Sequence, residues 1–101
     1  MFDMRHESLD RLFDAILQLK TREECYRFFE DVCTVKELRE IAQRLDVAVL
    51  LSQRKNYQEI SAMTGASTAT ISRVNKCLLY GGGGYGTAIG RLQGKEQQDE
   101  D

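Results

Sequence analysis

The chain has 101 residues, of which 42% are hydrophobic and 30% are charged, with no proline, no tryptophan and three cysteines. This length suits one small domain and is too short for two cores of ordinary size. No apolar run approaches the roughly 20 residues that span a bilayer, and the first five residues lack the order of a signal peptide. An odd number of widely spaced cysteines is not a disulfide framework. We therefore expect a cytoplasmic protein with no membrane partner.

The formal charge of −2 conceals an uneven distribution along the chain. The net charge is −3 over 1–53, +3 over 54–76, +1 over 77–93 and −3 over 94–101. The positive segment carries one acidic residue, and its basic residues are Arg54, Lys55, Arg73 and Lys76. Such a patch can attract phosphate even on a mildly acidic molecule, although a solvated helix face would carry the same charges.

The first half of the chain has the apolar spacing of amphipathic helices. Apolar residues recur at this spacing over 7–20, which predicts a first helix. Two capping boxes follow: Thr21 with Glu24 opens a second helix, and Thr34 with Glu37 opens a third. In each box the hydroxyl accepts from an amide of the first turn, and the carboxylate reaches back to the amide of the capping residue.

The second half of the third helix, over 47–51, is apolar nearly all round and should be buried on most sides. Two short helices near the C-terminus could cover it within one chain. A second copy of the chain could cover it instead, and symmetric dimers are the commonest assemblies with such surfaces. Because the chain is small, we predict a homodimer.

The next segment contains two short helices joined by a tight turn. The first spans 57–63, and Gly65 suits a left-handed position after it. Ser67 can cap the second helix, which runs to about Leu79. The four glycines at 81–84 must end that helix, because consecutive glycines lose too much entropy in one.

The C-terminal residues are predicted to add little regular structure. One last helical turn is expected over 87–92. Residues 94–101 are polar and acidic, and we expect them to form a disordered tail. The expected organisation is a single helical domain over 1–93 followed by this tail.

The two short helices meet the physical requirements of a helix-turn-helix. Ile60, Ile71 and Val74 face inward, and Ser61 is small where the second helix approaches closely. The second helix then presents its N-terminal end outward, where it can enter a major groove, and Arg73 lies one turn further along. This shape is common in all-α proteins, so a protein–protein interaction module that retains a helix-turn-helix scaffold stays an alternative.

The string Gly-Ala-Ser-Thr-Ala-Thr-Ile-Ser-Arg-Val at 65–74 is more distinctive than the shape. It resembles the second helix of the Trp-repressor-like family, and the segments 42–48 and 57–80 look closest to the YerC/YecD group of that family. The resemblance covers about 5–92. It implies an all-α, intertwined homodimer that binds operator half-sites in double-stranded DNA, about one helical turn apart, and represses transcription.

The same resemblance implies which residues bind DNA. Thr68, Ala69 and Thr70 match the family's base-facing positions. Arg54 and Lys55 lie just ahead of the first helix of the motif, where charge and position favour contact with phosphate. The complete expected set is Arg54, Lys55, Ser67, Thr68, Ala69, Thr70, Arg73 and Lys76.

The tryptophan-responsive members of the family clamp the amino acid with two arginines, which Arg44 and Arg73 could match if one gap is allowed. A glycine and a serine of those members are replaced by Val74 and Cys77. The valine would occupy space that the indole needs, and a thiol is a weak hydrogen-bonding group. We predict a candidate effector pocket at these four residues that does not bind L-tryptophan, and its effector is unknown.

The remaining features do not indicate an active site, a cofactor or a metal. The glycines at 81–84 lack the neighbouring lysine and serine of a phosphate-binding loop, so they are interpreted as a linker. Cys25, Cys33, Cys77 and His6 lack the paired short spacing of zinc ligands, and the cysteines are interpreted as buried, inert thiols. No histidine stands at a recognisable spacing from a nucleophile, so we expect no enzymatic activity.

Overall fold

The structure is a computed structural model that describes the backbone of residues 6–100 and the side chains of residues 6–94. The regular elements in this part of the chain are six helices and no strands, which confirms the all-α prediction. The helices are α1 (Glu7–Leu17), α2 (Arg22–Val32), α3 (Val35–Ser52), α4 (Tyr57–Thr64), α5 (Thr68–Tyr80) and α6 (Gly84–Glu100). No helix among the described residues has the length and apolar character needed to cross a membrane.

The chain divides into two compact units, residues 1–38 and 39–101, which we call the N-terminal unit and the C-terminal unit. Helix α3 begins in the first and continues in the second. The prediction of a single domain over 1–93 stays a prediction.

The two helices of the N-terminal unit begin at side-chain caps. His6 caps α1 through its Nδ1 atom, which accepts from an amide two residues along at 3.1 Å. Thr21 caps α2, and its hydroxyl accepts from the Glu24 amide at 3.0 Å. The Glu24 carboxylate accepts from the Lys20 amide at 2.7 Å, one residue before the amide that we predicted. Helix α1 ends at Leu17 and not at residue 20, and the amides of Gln18 and Leu19 bond to carbonyls three residues back, those of Ala15 and Ile16.

None of the described side chains of the N-terminal unit, residues 6–38, is buried. Large apolar side chains remain open on both helices: Phe13 is 53% exposed, Leu17 77%, Tyr26 56% and Val32 55%. Residues 6–38 therefore form no hydrophobic core of their own, although both helices are amphipathic.

Helix α3 begins with the second predicted capping box, which is complete. The Glu37 amide donates to the Thr34 hydroxyl at 3.1 Å, and the Thr34 amide donates to the Glu37 carboxylate at 2.9 Å. Hydrogen bonds to the ionised carboxylate, first from the Thr34 amide and then from its side chain, hold the pKa of Glu37 below its ordinary value of 4.5.

The hydrophobic core lies within the C-terminal unit. Its buried members among the described residues are Val47, Ala48, Ile60, Ala66, Ile71, Val74 and Ile89. The other apolar residues of the 47–51 segment are half-buried against the same core. This chain itself thus buries Val47 and Ala48 and partly covers the rest of the segment, so the segment does not by itself require a second copy, and the homodimer stays a prediction.

Three of the four glycines, Gly81–Gly83, separate α5 from α6, and Gly84 is the first residue of α6. Gly81 ends α5, and a Cβ atom there would overlap the carbonyl oxygen of Cys77. Gly83 has a φ of 84°, a left-handed conformation that glycine adopts without strain. Glycine is therefore favoured at two positions of this linker, by lack of space at Gly81 and by backbone conformation at Gly83.

Helix α6 is much longer than the single turn that we predicted over 87–92. It runs from Gly84 to Glu100 and so includes most of the segment predicted to be a disordered tail. The residues after Gly94 are mainly glutamine, glutamate and lysine, which have high helix propensity, and no proline interrupts them. The side chains of 95–101 lie outside the described residues.

Candidate nucleic-acid interface

Helices α4 and α5 form the helix-turn-helix that the sequence predicts. Helix α4 begins at a capping box that we did not predict: the Glu59 amide donates to Asn56 Oδ1 at 2.8 Å, and the Asn56 amide donates to Glu59 at 3.4 Å. An asparagine followed three residues later by glutamate is a recognisable signal for it. Gly65 ends α4 with a φ of 75°, in the left-handed conformation that we predicted.

The turn between the two helices is held by side-chain hydrogen bonds. The Thr64 hydroxyl donates to the Ile60 carbonyl at 2.8 Å and accepts from the Ala66 amide at 3.1 Å. The Ser61 hydroxyl donates to the Ala66 carbonyl at 2.9 Å, and the Gln43 side chain donates to the Thr64 carbonyl at 3.1 Å. These bonds fix the angle at which α5 leaves the turn and connect the turn to α3.

The inner face of the motif is packed against the core, as predicted. Ile60 and Ile71 are fully buried, and Val74 is 3% exposed. Because these three residues anchor both helices, the opposite face of α5 is left open to solvent. The predicted base-facing residues lie there: Thr68 and Ala69 are exposed, and Thr70 is half-buried.

Ser67 caps α5, and its hydrogen bonds also orient Thr70. The Ser67 hydroxyl accepts from the Thr70 amide at 3.1 Å and donates to the Thr70 hydroxyl at the same distance. A hydroxyl has one donor and two lone pairs, so Thr70 keeps its own proton available for a partner outside the protein. Ser67 therefore stabilises the helix start and positions a neighbouring hydroxyl.

The predicted phosphate-binding residues are all exposed, and they are Arg54, Lys55, Arg73 and Lys76. Within the described part of the chain the one ion pair joins Arg27 to Glu23 at 3.2 Å, well away from this set in the sequence. The four cations are thus not neutralised by acidic side chains of the described residues, and they are available to an external anion.

Arg54 has an uncommon backbone conformation, with a φ of 63°. It occupies the left-handed position after α3, where the Arg54 amide bonds to the Leu51 carbonyl at 3.0 Å and the Lys55 amide to the Leu50 carbonyl at 3.1 Å. This hydrogen-bond pattern is a Schellman motif, in which glycine is the usual residue. An arginine there costs roughly 1–2 kcal/mol of backbone strain that glycine would avoid.

The four residues of the candidate effector pocket lie together in the structure. Arg44, Arg73, Val74 and Cys77 line a cleft of about 260 Å³ with Thr70 and Tyr85. Cys77 is exposed, and Cys25 and Cys33 are half-buried, so the prediction of buried thiols was wrong. The α5 face bearing Cys77 lines this open cleft, which is why its thiol is not covered. Among the described residues no group of three or more histidine, cysteine or acidic side chains could hold a metal ion.

A family model described as the Trp repressor protein matches residues 7–93. The chain belongs to the Trp repressor family. The uncharacterised protein YerC of Bacillus subtilis (strain 168) is 50% identical over 95 residues, which cover 94% of this chain and 91% of YerC.

Two solved structures of Trp repressor relatives are similar along most of the chain. A candidate Trp repressor from Staphylococcus aureus has a TM-score of 0.86 and 49% identity, covering 89% of this chain and 90% of its own. A TrpR-like protein from Eubacterium eligens ATCC 27750 also has a TM-score of 0.86, with 48% identity over 89% of this chain and 93% of its own. The predicted resemblance to this family is confirmed.

Proposed function

We propose that this Trp repressor family protein is a sequence-specific DNA-binding regulator that reads operator half-sites with its helix-turn-helix and represses transcription. The observation that carries the proposal is the open N-terminal end of α5, which is anchored on its other face by Ile71 and Val74. Thr68 and Ala69 are small and exposed at this end, so the helix can approach base edges in a major groove closely. Such a regulator acts where the DNA is, which is the basis for expecting it in the cytoplasm.

The basic residues and the α5 residues have different roles in this proposal. Phosphate contacts supply affinity and fix the register on the duplex but carry no sequence information. Arg54, Lys55, Arg73 and Lys76 supply these contacts, together with the amides at the start of α5. Sequence choice comes from Thr68, Ala69 and Thr70, with Arg73 placed to reach a guanine edge.

The strained backbone of Arg54 supports a role beyond folding. Glycine would satisfy the same hydrogen bonds at this position without strain. Strained backbone conformations of this kind concentrate at functional sites, where the side chain is needed for binding or catalysis and not for folding. A guanidinium held next to Lys55 at the entrance to α4 would contribute a phosphate contact.

The assembly that we propose is a homodimer built on the N-terminal unit. Helices α1 and α2 bury no side chain among the described residues, while Phe13, Leu17, Tyr26 and Val32 are each more than half exposed. A second copy carries the same apolar faces, so a two-fold interface can cover both sets at once. A dimer would also present two helix-turn-helices to two half-sites.

The cleft under α5 is the candidate site for an effector, and we propose that L-tryptophan does not bind there. Val74 lines the cleft where the tryptophan-responsive members of the family have a glycine. Fitting an indole ring against this extra side chain would overpack the cleft, which typically costs about 1–3 kcal/mol. Calorimetric titration with L-tryptophan should show no heat of binding at micromolar concentration. Micromolar binding would contradict this and would assign Arg73 to the ligand and not to DNA.

The function is tested by the salt dependence of binding to duplex DNA. Selection from genomic fragments should enrich a two-fold symmetric motif, and the affinity for it should fall steeply as salt rises. Lys55→Ala should weaken all sequences alike and reduce the salt slope by about one unit, whereas Lys20→Ala, which changes an exposed lysine of the N-terminal unit, should not.

Thr70→Ala tests the other half of the division of roles. It should weaken the selected motif by about 1 kcal/mol or more while random DNA is bound as before. If Lys55→Ala and Thr70→Ala both weaken binding to the selected motif and to random DNA equally, the division between phosphate-binding and base-reading residues is contradicted. Absence of salt-dependent duplex binding by the unmodified protein would favour the alternative, an interaction module on a helix-turn-helix scaffold.

A further inference from the structure

A groove lined mainly by residues outside the predicted DNA-binding set lies between the exposed face of α4 and the start of α5. Its volume is about 410 Å³, and the residues that line it are Tyr57, Gln58, Ser61, Ala62 and Thr68. Four of these belong to α4, and Thr68 is the first residue of α5. The groove is thus continuous with the end of α5 that we propose to face the bases.

Two of the polar side chains that line this groove, Tyr57 and Ser61, belong to half-buried residues. The Ser61 hydroxyl donates to the turn, and Tyr57 is half-buried against the core. Gln58 and Thr68 are exposed, and neither takes part in a side-chain hydrogen bond within the described part of the chain. The exposed residues of the groove with free hydrogen-bonding side chains are therefore Gln58, with a primary amide, and Thr68, with a hydroxyl, and they belong to two different helices.

The neighbours of Gln58 leave space for a base edge. Ser61 and Ala62 follow on the same side of α4, and both side chains are small. A glutamine amide carries one donor group and one acceptor, which match N7 and the N6 amino group of adenine in the major groove. No other base pair presents that combination on one base.

We propose that Gln58 is a further specificity-determining residue, which selects an A·T pair beside the base pair that Thr68 contacts. The proposal rests on the function proposed above. It extends the reading surface from α5 onto α4, so the selected half-site includes one base pair that no residue of the predicted set accounts for.

The test is selection from a random duplex library with four proteins: the unmodified chain, Gln58→Ala, Gln58→Glu and, as a control, Gln93→Ala. Gln93 is an exposed glutamine of α6 that does not line the groove. Gln58→Ala should lose an adenine preference of roughly tenfold at one position of each half-site and keep the other positions. Gln58→Glu should move that preference towards cytosine, whose N4 amino group donates to a carboxylate.

The outcomes separate this inference from the function on which it rests. If the unmodified chain and Gln58→Ala select the same motif at every position, the role of Gln58 is overturned and the proposed function is not. The same loss in Gln93→Ala would also overturn it. If the unmodified chain selects no motif, the proposed function fails, and the role of Gln58 fails with it. Unfolding curves of all four proteins should coincide, since both glutamines are exposed.

Discussion

The two units of this protein are built from similar amphipathic helices, yet they differ in what those helices bury. In the C-terminal unit the apolar stripes of α3, α4, α5 and α6 converge on one core, with Ile60 and Ile71 fully buried. In the N-terminal unit α1 and α2 bury no side chain among residues 6–38. An amphipathic pattern therefore specifies a helix and its apolar face, but not the surface that covers the face.

This difference in burial matches the roles that we propose for the two units, which are DNA binding for the C-terminal unit and dimerisation for the N-terminal unit. A helix-turn-helix has to hold α5 at a fixed angle, and the core and the hydrogen bonds of the turn do this within one chain. The open faces of α1 and α2 have the character of half an interface, because obligate dimer interfaces resemble a domain core cut in two. Four predictions test this comparison.

The largest expected effect is in the core of the C-terminal unit. Ile60→Ala should lower the free energy of unfolding by about 2–5 kcal/mol, because it leaves a cavity at a fully buried position. Met63→Ala lies on the same helix at a side chain that is 65% exposed, so it should change stability by about 0.5 kcal/mol or less. Urea unfolding measures both, and similar losses would contradict the assignment of the core.

The next effect tests whether a second copy covers the N-terminal unit. Leu17 is 77% exposed in the single chain, so Leu17→Asp should be nearly neutral if the chain is monomeric. In a dimer it would bury a charge, and the dissociation constant should rise at least about tenfold. Sedimentation equilibrium measures this, with Gln18→Asp at the neighbouring exposed residue as the control. A dimer that is unaffected by Leu17→Asp would place the interface elsewhere.

Arg54→Gly should separate stability from DNA binding. Removing the strained left-handed arginine should raise the free energy of unfolding by roughly 1 kcal/mol. The same change should weaken duplex binding and reduce its salt slope by about one unit. Arg54→Lys keeps the charge and the strain, and it should retain most of the salt slope. If Arg54→Gly raises both the free energy of unfolding and the affinity for DNA, or lowers both, the role of Arg54 in phosphate binding is contradicted.

The smallest effect concerns the start of α3. The pKa of Glu37 is lowered in the folded protein, so its contribution to stability is present above about pH 4.5 and disappears as the pH falls through the folded pKa. Glu37→Gln should therefore lower the melting temperature slightly at neutral pH and converge with the unmodified protein in acid. Glu40→Gln, at an exposed glutamate of the same helix, is the control, and an equal effect there would contradict the capping role.

Local signals predicted several features that neighbouring residues decide. Thr34 with Glu37, Gly65 and Ser67 were placed from sequence, and each has the predicted hydrogen bonds or backbone conformation. The inward residues of the helix-turn-helix followed from spacing for the same reason. The length of α6 was missed because the polar, acidic residues 94–101 were expected to be disordered, whereas the residues after Gly94 continue the helix.

Contacts between distant residues could not be predicted in the same way. The sequence shows that 47–51 is apolar but not what covers it; the core of the same unit buries Val47 and Ala48 and partly covers the other three residues. Cys77 was expected to be buried from its residue type, yet the α5 face on which it lies lines an open cleft. Gln58 carries no distinguishing sequence signal, and only its position beside Thr68 singles it out.

The sequence by itself determined the helical class, several of the caps, the turn and the family, because these depend on local propensities, short-range hydrogen bonds and one distinctive string. The tertiary structure decided which apolar faces are covered, that Arg54 carries strain and which free side chains share a groove. Those properties depend on how the chain brings distant residues together, which residue type and spacing do not encode.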